Sequence, residues 1–530
     1  MKTTIVVLVW LAVLASVTAE EKPNKNNVAE ERWRRLMEGP HVKRGVLPEL
    51  RLRRSITANA EEAAQIKKHI ANLATIDRPD FGLSGTMGGT AFAPVRGSER
   101  HTGGFLLTNH QLQTGDDFRH LVASGPRALP FLLEALDDKT PTKLRQNHGG
   151  GLGGMFLCTE MAINPTNSIE QMAIASVPKP NFGYDGGKSI THYSVTVGDV
   201  CFVIIGQIVG RAYLAVRYQP TSIIVINSPV EEKALAKAVR DIWSSTNAAQ
   251  RLFDSLLFDY ATEGVFNGES LDGWDIGNDL QCRAALRLLY YFPQETSGLI
   301  AKRLTNLDVK DPGLRASVIP QEVSRAASMR RDVANGVRAE EFIKAVAWSD
   351  DPAIRRELLN VFKRTTDTQI LPAAWSGINA TESDLSRKRL NEMIDQLPAG
   401  EPGPYGQGYH LLVALGGKLD LESSKTTFIH YLQNASLQRW RTMAHVLRKT
   451  RSNWAAELLS PALTDKREFG WTYGLVPGQN EPRRAMRVCD EAAETISLSN
   501  PDLPFTMAGE HEDLDRQIAT IRARIEGVKP

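Results

Sequence analysis

Apolar and polar positions alternate with a helical period along most of the chain. Residues 61–76 bring Ala64, Ile66, Ile70 and Leu73 close to one helix face, which predicts an amphipathic helix. Beyond residue 229 the same period continues through short connections rich in Pro, Gly and Asp. The helices predicted there are 230–246, 248–262, 279–292, 296–306, 320–335, 338–348, 352–364, 382–397, 407–416, 422–433, 436–450, 453–463, 482–497 and 511–526.

Two further helices are predicted between residues 114 and 136. The stretch beginning Thr114-Gly-Asp-Asp has the spacing of a capping box, in which side chains bind the free N–H groups of the first helical turn. After a Gly-Pro break at residue 125, the next helix carries a leucine stripe. Its members are Leu129, Leu132, Leu133 and Leu136.

Two segments interrupt the helical pattern. Residues 82–105 are rich in Gly, and residues 141–194 are rich in Gly, Pro and Asn, so both are predicted to be irregular. The second is expected to be a surface excursion. Residues 200–209 are almost entirely apolar, which predicts a helix buried on all sides, followed by an extended stretch at 222–227. Clear strand alternation is nearly absent, so the predicted fold class is all-α.

A nine-residue pattern recurs after forty residues. DPGLRASVI begins at Asp311 and DPAIRRELL begins at Asp351. In this pattern the Asp can cap a helix N-terminus, and Pro is well tolerated at the first helical position because its missing donor would be unpaired there. EPRRAMRV at 481 is a looser copy, and LPFLLEALDDKTP at 129 resembles AAELLSPALTDKRE at 455.

These segments and their interval resemble HEAT repeats, particularly the short type found in exported bacterial proteins of uncharacterised function. The resemblance implies antiparallel helix pairs stacked into an α-solenoid, with Asp and Arg side chains forming ladders between repeats. The matching positions are Asp311, Arg315, Asp351, Arg355, Asp465 and Arg487. Residues 141–230 depart from the pattern, which suggests a Gly/Pro-rich loop insertion in the array.

The first residues indicate an exported protein. Lys2, the apolar run 5–14 and the small residues at 17–19 form the pattern of a cleaved secretory signal. The run is shorter than the about 20 residues that span a bilayer, although a retained anchor is the alternative. The expected compartment is periplasmic or extracellular, with no transmembrane segment after cleavage.

The composition changes this picture little. The chain has 530 residues, 42% of them hydrophobic, and a formal net charge of +2, which favours no class of partner. Basic residues are concentrated in residues 20–60, predicted to be a disordered tether, with binding to an anionic surface as the alternative. The predicted organisation is a signal at 1–19, the tether at 20–60, helical repeats at 61–140, the insertion and buried segment at 141–228, and a helical array at 229–530.

Four widely spaced cysteines each lie in an apolar setting, and no CxxC motif occurs. Buried free thiols are expected, since Cys packs as a small hydrophobe. One long-range disulfide is the alternative in an oxidising compartment. The cysteines are Cys158, Cys201, Cys282 and Cys489.

Candidate catalytic motifs are weak. Gly187-Lys188-Ser189 resembles the end of a phosphate-binding loop, but Phe182 occupies the position of the first Gly. The run from Gly149 to Met155 could wrap an anion with its N–H groups, although a turn is the simpler interpretation. His110, Asp116, Asp117 and His120 form the densest group of imidazoles and carboxylates. A metal could use such donors, but the aspartates also suit a first helical turn, so no metal is assigned.

A binding surface is the remaining candidate. Tyr405, Tyr409, His410, Arg439 and Trp440 lie near GPYGQGYHLL and LQRWRTM and could line a groove, although aromatic residues at helical spacing are usually core. A basic cluster follows and is interpreted as a solvated helix face. Its members are Arg439, Arg441, Arg448, Lys449 and Arg451.

The sequence therefore favours an exported helical-repeat scaffold that binds a protein or other macromolecule through its concave surface. No catalytic activity, cofactor or nucleic-acid partner is expected. The alternative is an enzyme, hydrolytic in type, with its site formed by the loops 82–105 and 145–195.

Overall fold

The chain is mostly helical in a computed structural model. The structure describes residues 42–44, 46–77, 92–95, 115–148, 153–164, 167–178, 187–218, 223–264, 280–307, 309, 331–378, 383–395, 407–434, 436–452, 454–471 and 485–527. Within these ranges, no helix is both long enough and apolar enough to serve as a membrane span. The predicted signal, residues 1–19, lies outside them.

Nineteen helices are numbered here in chain order. They are α1 (Ala60–Asn72), α2 (Asp116–Ser124), α3 (Leu129–Glu134), α4 (Ser168–Gln171), α5 (Val197–Val209), α6 (Lys233–Trp243), α7 (Ala248–Tyr260), α8 (Leu280–Tyr291), α9 (Pro293–Thr305), α10 (Arg331–Val346), α11 (Pro352–Arg364), α12 (Ile370–Ser376), α13 (Ser383–Asp395), α14 (Gln407–Lys418), α15 (Glu422–Asn434), α16 (Leu437–Thr450), α17 (Trp454–Leu459), α18 (Val488–Ser499) and α19 (His511–Ile525).

Ten short strands pair in four small sheets across the described residues. They are β1 (Val42–Arg44), β2 (Pro141–Asn147), β3 (Gly154–Cys158), β4 (Lys188–Ile190), β5 (His192–Thr196), β6 (Val216–Tyr218), β7 (Ile223–Asn227), β8 (Thr262–Gly264), β9 (Glu468–Trp471) and β10 (Ala485–Arg487). The pairs β1–β8, β2–β5 and β9–β10 are antiparallel, and the remaining strands form a sheet in the order β4-β3-β7-β6.

The predicted helices agree with most of the observed ones to within a few residues. The apolar segment after residue 196 is confirmed as a buried helix, since every residue of α5 is buried, and the extended stretch is confirmed as β7. The predicted helices 320–335 and 338–348 correspond in part to the continuous helix α10, and residues 320–330 lie outside the described ranges. Helix α12 was not predicted.

Segment 141–194 is not a surface excursion, which corrects the prediction. It contributes β2, β3, β4, α4 and the first part of β5, and Leu144, Met155 and Leu157 are buried in the main core. The irregular composition conceals these strands because each is only three to seven residues long, so alternation has little length in which to show.

One prediction near the N-terminal end needs correction, and another lies outside the described residues. Helix α2 begins after Gly115, and Thr114, from which the capping box was predicted, is not among the described residues. The basic segment 20–60 is not a tether throughout, because Leu50, Leu52 and Ile56 pack against the main core.

The two similar segments that begin at residues 129 and 455 adopt the same local structure. In each copy a short helix runs into a 3₁₀ turn and a strand, and a second, antiparallel strand runs directly into a longer helix: α3-β2-β5-α5 in the first copy and α17-β9-β10-α18 in the second. The backbone bonds correspond as well. Val197 N–H donates to Thr140 and Gly198 N–H to Asp138 in the first copy, as Val488 does to Arg467 and Cys489 to Asp465 in the second, all at 2.9–3.0 Å.

The Asp-Pro motif at 351 caps a helix as predicted. The Asp351 carboxylate accepts hydrogen bonds from the N–H groups of Ala353 and Ile354, and Pro352 occupies the first turn of α11. The copy at Asp311 lies outside the described residues. Arg355 pairs with Asp350 in its own turn, whereas Arg487 reaches Asp515 of α19 at 2.8 Å.

From α8 onward, the described helices pack both against adjacent helices and against helices two numbers away. The adjacent pairs are α8–α9, α11–α12, α13–α14, α14–α15, α15–α16, α17–α18 and α18–α19, and the pairs two numbers apart are α8–α10, α9–α11, α10–α12, α12–α14, α13–α15, α14–α16, α15–α17 and α16–α18. The apolar residues form one large core from Ile66 to Leu421 and a second core from Val413 to Ile521. Helix α14 belongs to both, because Leu412 and Leu415 enter the first core and Val413 enters the second.

Candidate functional site

The residues predicted to bind a partner lie around α14 and α16. Tyr405 lies outside the described residues, and Tyr409 and His410 are on α14. Trp440 is only 6% exposed and packs in the second core, so its role is packing. Arg439, its neighbour on α16, is half-buried. The groove suggested by the sequence therefore lacks Trp440 as a wall.

The exposed side of α16 carries a row of basic side chains one turn apart. Arg441, His445 and Lys449 are all exposed, and their spacing of four residues places them on one helix face. Half-buried His410 is grouped with them because its helix, α14, packs against α16. Arg441, His445, Lys449 and His410 are called the basic face below.

Neighbouring charges are partly engaged elsewhere. Arg448 lies on the same helix but turns to α18, where its guanidinium binds the Glu494 carboxylate at 2.7 and 3.1 Å and lies 3.9 Å from Glu491. The Arg441 guanidinium covers the ring of Phe469 at 5.1 Å, which holds its stem in place.

Cations lower the pKa of both histidines of the basic face. Partial burial lowers the pKa of His445, and Lys449, Arg448 and Arg441 lower it further. Burial likewise lowers the pKa of His410, with Lys449 as the second cause. An imidazole surrounded by cations favours its neutral form, so this surface is suited to attracting an anion.

A second candidate site lies beside α2, where the sequence placed its group of imidazoles and carboxylates. His110 lies outside the described residues. A cleft of about 320 Å³ is bordered by Pro94, Asp116, Arg119, His120, Ala123 and Tyr290. Its lining carries charges of both signs, because Asp116 forms an ion pair with Arg119 of the same helix.

Behind this cleft, His69 of α1 supports His120. The His69 Nδ1 atom lies 2.7 Å from Asp117 Oδ1, which also accepts a bond from the Asn72 amide at 3.1 Å. The His69 and His120 rings lie 4.3 Å apart and are tilted by 33°. Sequence reasoning missed His69 and Tyr290, since both are remote in the chain from α2.

The described part of the chain contains no group of three His, Cys, Asp or Glu side chains arranged to hold a metal.

The glycine-rich motifs lie only partly within the described residues, and most of the described part is in strands. Lys188 and Ser189 are in β4, where they pair with Leu157 and Phe156 of β3, and Gly154 and Met155 are in β3. The four cysteines are buried and none forms a disulfide, which confirms the expectation of buried thiols rather than a long-range bridge.

A buried ionic cluster joins the 141–194 segment to the helices. The Arg211 guanidinium binds the Glu170 carboxylate of α4 at 2.7–3.1 Å and also binds Asp259 of α7. Amides from Asn164 and Asn167 complete the partners of Asp259 at 2.7 and 3.2 Å. All three charged side chains are at most 2% exposed, so the cluster is structural and closed to ligands.

No family model, no curated protein and no solved structure matches the chain. The function must therefore be argued from the chain's own geometry.

Proposed function

We propose that the protein is an exported scaffold of HEAT-like type that binds a macromolecular partner, most simply a protein, through the concave surface of stacked helices. The packing of the described helices from α8 to α18 against adjacent helices and against helices two numbers away supports this proposal. In a stacked array each unit contacts only its neighbours, which leaves long continuous faces for binding.

The proposal of export rests on the signal pattern at residues 1–19. Four buried thiols that form no disulfide are compatible with it, because burial protects a thiol from oxidation in an oxidising compartment. The proposed similarity to HEAT repeats rests on the Asp-Pro motifs. In one of them Asp351 caps the N-terminus of α11, as predicted.

Affinity capture tests the scaffold function. The full chain, immobilised and exposed to the exported fraction of its native source, is expected to retain a protein at fixed stoichiometry, measured by light scattering of the eluted complex. A His120→Ala variant serves as the control, since His120 lies at the cleft beside α2 and outside the helical array. Failure of the wild-type chain to retain anything beyond what an unrelated protein retains would contradict the proposal.

An enzyme is the second candidate, and one observation favours it. Pro94 of the 82–105 segment borders the cleft that contains His120, whose ring lies 4.3 Å from the ring of His69. His69 is in turn held by the Asp117 carboxylate, and a histidine positioned by a carboxylate is suited to proton transfer. The described part of 145–195 lies elsewhere, packed against α7 and β7. If His120→Ala abolished a hydrolytic activity found in the pure protein, the enzyme would replace the scaffold.

Deleting residues 141–194 would not discriminate between these functions. The deletion removes Glu170 from the ionic cluster and Leu144 and Met155 from the main core. Loss of either function would then follow from unfolding.

A further inference from the structure

We propose that the basic face of α14 and α16 is the docking site for an acidic segment of a protein partner, and that docking is coupled to proton uptake by the face. The inference rests on the proposed scaffold function and specifies its partner. It is carried by the positions and surroundings of Arg441, His445, Lys449 and His410.

The cations of the face are accessible. Arg441, His445 and Lys449 are exposed and follow one another at intervals of four residues, about 6 Å along a helix. Acidic side chains at alternate positions of an extended peptide are about 6.7 Å apart. A short Glu-x-Glu-x-Glu segment therefore matches the row of three basic residues.

An acidic peptide fits this surface better than a nucleic acid does. The row is only about 12 Å long, whereas proteins that bind nucleic acid tightly neutralise about six to ten phosphates. The carboxylates of Glu491 and Glu494 lie at its edge, next to Arg448, and would repel a longer polyanion. The whole chain is also nearly neutral at +2.

The charged surroundings of His445 determine the sign of the pH effect. Its cationic neighbours on α16 are Arg441, Arg448 and Lys449. On α18, which packs against α16, Glu491 and Glu494 lie against Arg448. On α15, Lys425 binds Glu457 at 2.9 Å. The pKa of His445 lies below its ordinary value in the free protein. A bound carboxylate would offset these cations and raise that pKa, so the complex takes up a proton. Binding must then tighten as the pH falls, until the peptide carboxylates themselves protonate near about pH 4.3.

The probe is a labelled peptide with glutamate at alternate positions, titrated with the full chain and followed by fluorescence anisotropy. A peptide with Gln in place of each Glu is the matched negative probe. We expect the glutamate peptide to bind more tightly at pH 5.5 than at pH 7.5 and to weaken with added salt, because exposed charges are screened.

Two double variants, each of which removes two positive charges, distinguish binding at the basic face from non-specific attraction to the whole protein. Arg441→Gln with Lys449→Gln is expected to weaken binding about five- to tenfold, as expected for the loss of two exposed ion pairs. Lys302→Gln with Lys363→Gln removes two exposed lysines from the last turns of α9 and α11 and should leave binding unchanged. Circular dichroism checks that each variant remains folded.

His445→Gln tests the proton linkage separately. It should reduce the affinity gain between pH 7.5 and 5.5 while changing the affinity at pH 7.5 little. An identical pH dependence in wild type and variant would overturn the coupling.

Equal peptide binding by the wild type and the Arg441/Lys449 variant would overturn the docking site. Tighter binding of a thymidine oligonucleotide, lost in that same variant, would replace the acidic peptide by a nucleic acid. A wild-type chain that retains its native partner but ignores the glutamate peptide would refute this inference and leave the scaffold proposal intact.

Discussion

At the residue scale, the strongest constraint on this chain is the burial of Arg211 between two carboxylates. Glu170, Arg211 and Asp259 are at most 2% exposed. Burial raises the pKa of Glu170 even though Arg211 opposes the shift. Moving such groups out of water is costly, so each depends on the others for compensation.

Replacing Arg211 by Met should therefore destabilise the fold strongly. Two carboxylates would lose their buried cation, and the expected loss is about 3–5 kcal/mol in the free energy of unfolding. Urea denaturation followed by circular dichroism measures it.

Arg516→Met provides the matched control, because Arg516 is 74% exposed and pairs with Asp513 at the surface. Its effect should stay within about 0.5 kcal/mol. Equal effects of the two substitutions would show that the buried cluster contributes no more than a surface pair.

Sequence reasoning could not find this cluster. Its members lie 41 and 48 residues apart along the chain, and each looks like an ordinary exposed charge. The basic face was found only in part from the sequence, because Arg441 and Lys449 were assigned to a solvated helix face and His445 was not singled out. Trp440, which the sequence placed in the candidate groove, packs in the second core.

At the scale of elements, the repeated strand–helix unit shows how one local structure tolerates different sequences. In its first copy Gly198 lies so close to the preceding turn that an added Cβ would be 2.6 Å from the Leu136 carbonyl oxygen and 2.6 Å from the Val230 side chain. In the second copy the corresponding position is Cys489, which accommodates a full side chain.

Gly198→Ala should therefore destabilise the protein by about 1–3 kcal/mol, since backbone would have to move to accept the methyl group. Gly298→Ala in α9 should have the opposite sign and stabilise it by about 0.5–1 kcal/mol, because nothing lies within 4 Å of the added atom and Ala favours the helix. Thermal denaturation of both variants checks the signs. A stabilising Gly198→Ala would mean that α5 is not packed this closely.

Helices were predicted better than strands for a physical reason. Long amphipathic segments such as α11 and α16 repeat their signal over several turns and carry Pro, Asp or Ser at their starts. Strands such as β4 and β6 have only three residues, and their place is decided by partners distant in the sequence. Tertiary pairing, not local pattern, creates them.

At the scale of the whole molecule, two hydrophobic cores share only the helix α14 among the residues described. If the array is held by neighbouring contacts, damage to one core should open that core first. Buried thiols report this directly, because Cys201 belongs to the main core and Cys489 to the second. Burial and Asp490 raise the pKa of Cys489 to about 11, so it reacts only when exposed.

Leu447→Ala is the test. Leu447 is fully buried in the second core, and its truncation should cost about 2–5 kcal/mol locally. Alkylation of Cys489, read by mass spectrometry of its peptide, should accelerate by about 30-fold or more. Cys201 should react at nearly the wild-type rate. Equal acceleration of both thiols would identify one cooperative body and weaken the case for a stacked array.

The two copies of the strand–helix unit also differ in how much chain separates their paired strands. Residues 148–191 lie between β2 and β5, whereas residues 472–484 lie between β9 and β10. Closing the longer loop costs about 1 kcal/mol more in chain entropy, and pairings distant in sequence slow folding. The copy that leaves the ribosome first should thus be the later one to acquire its native pairing, which makes the N-terminal half the part of the nascent chain most in need of chaperone protection.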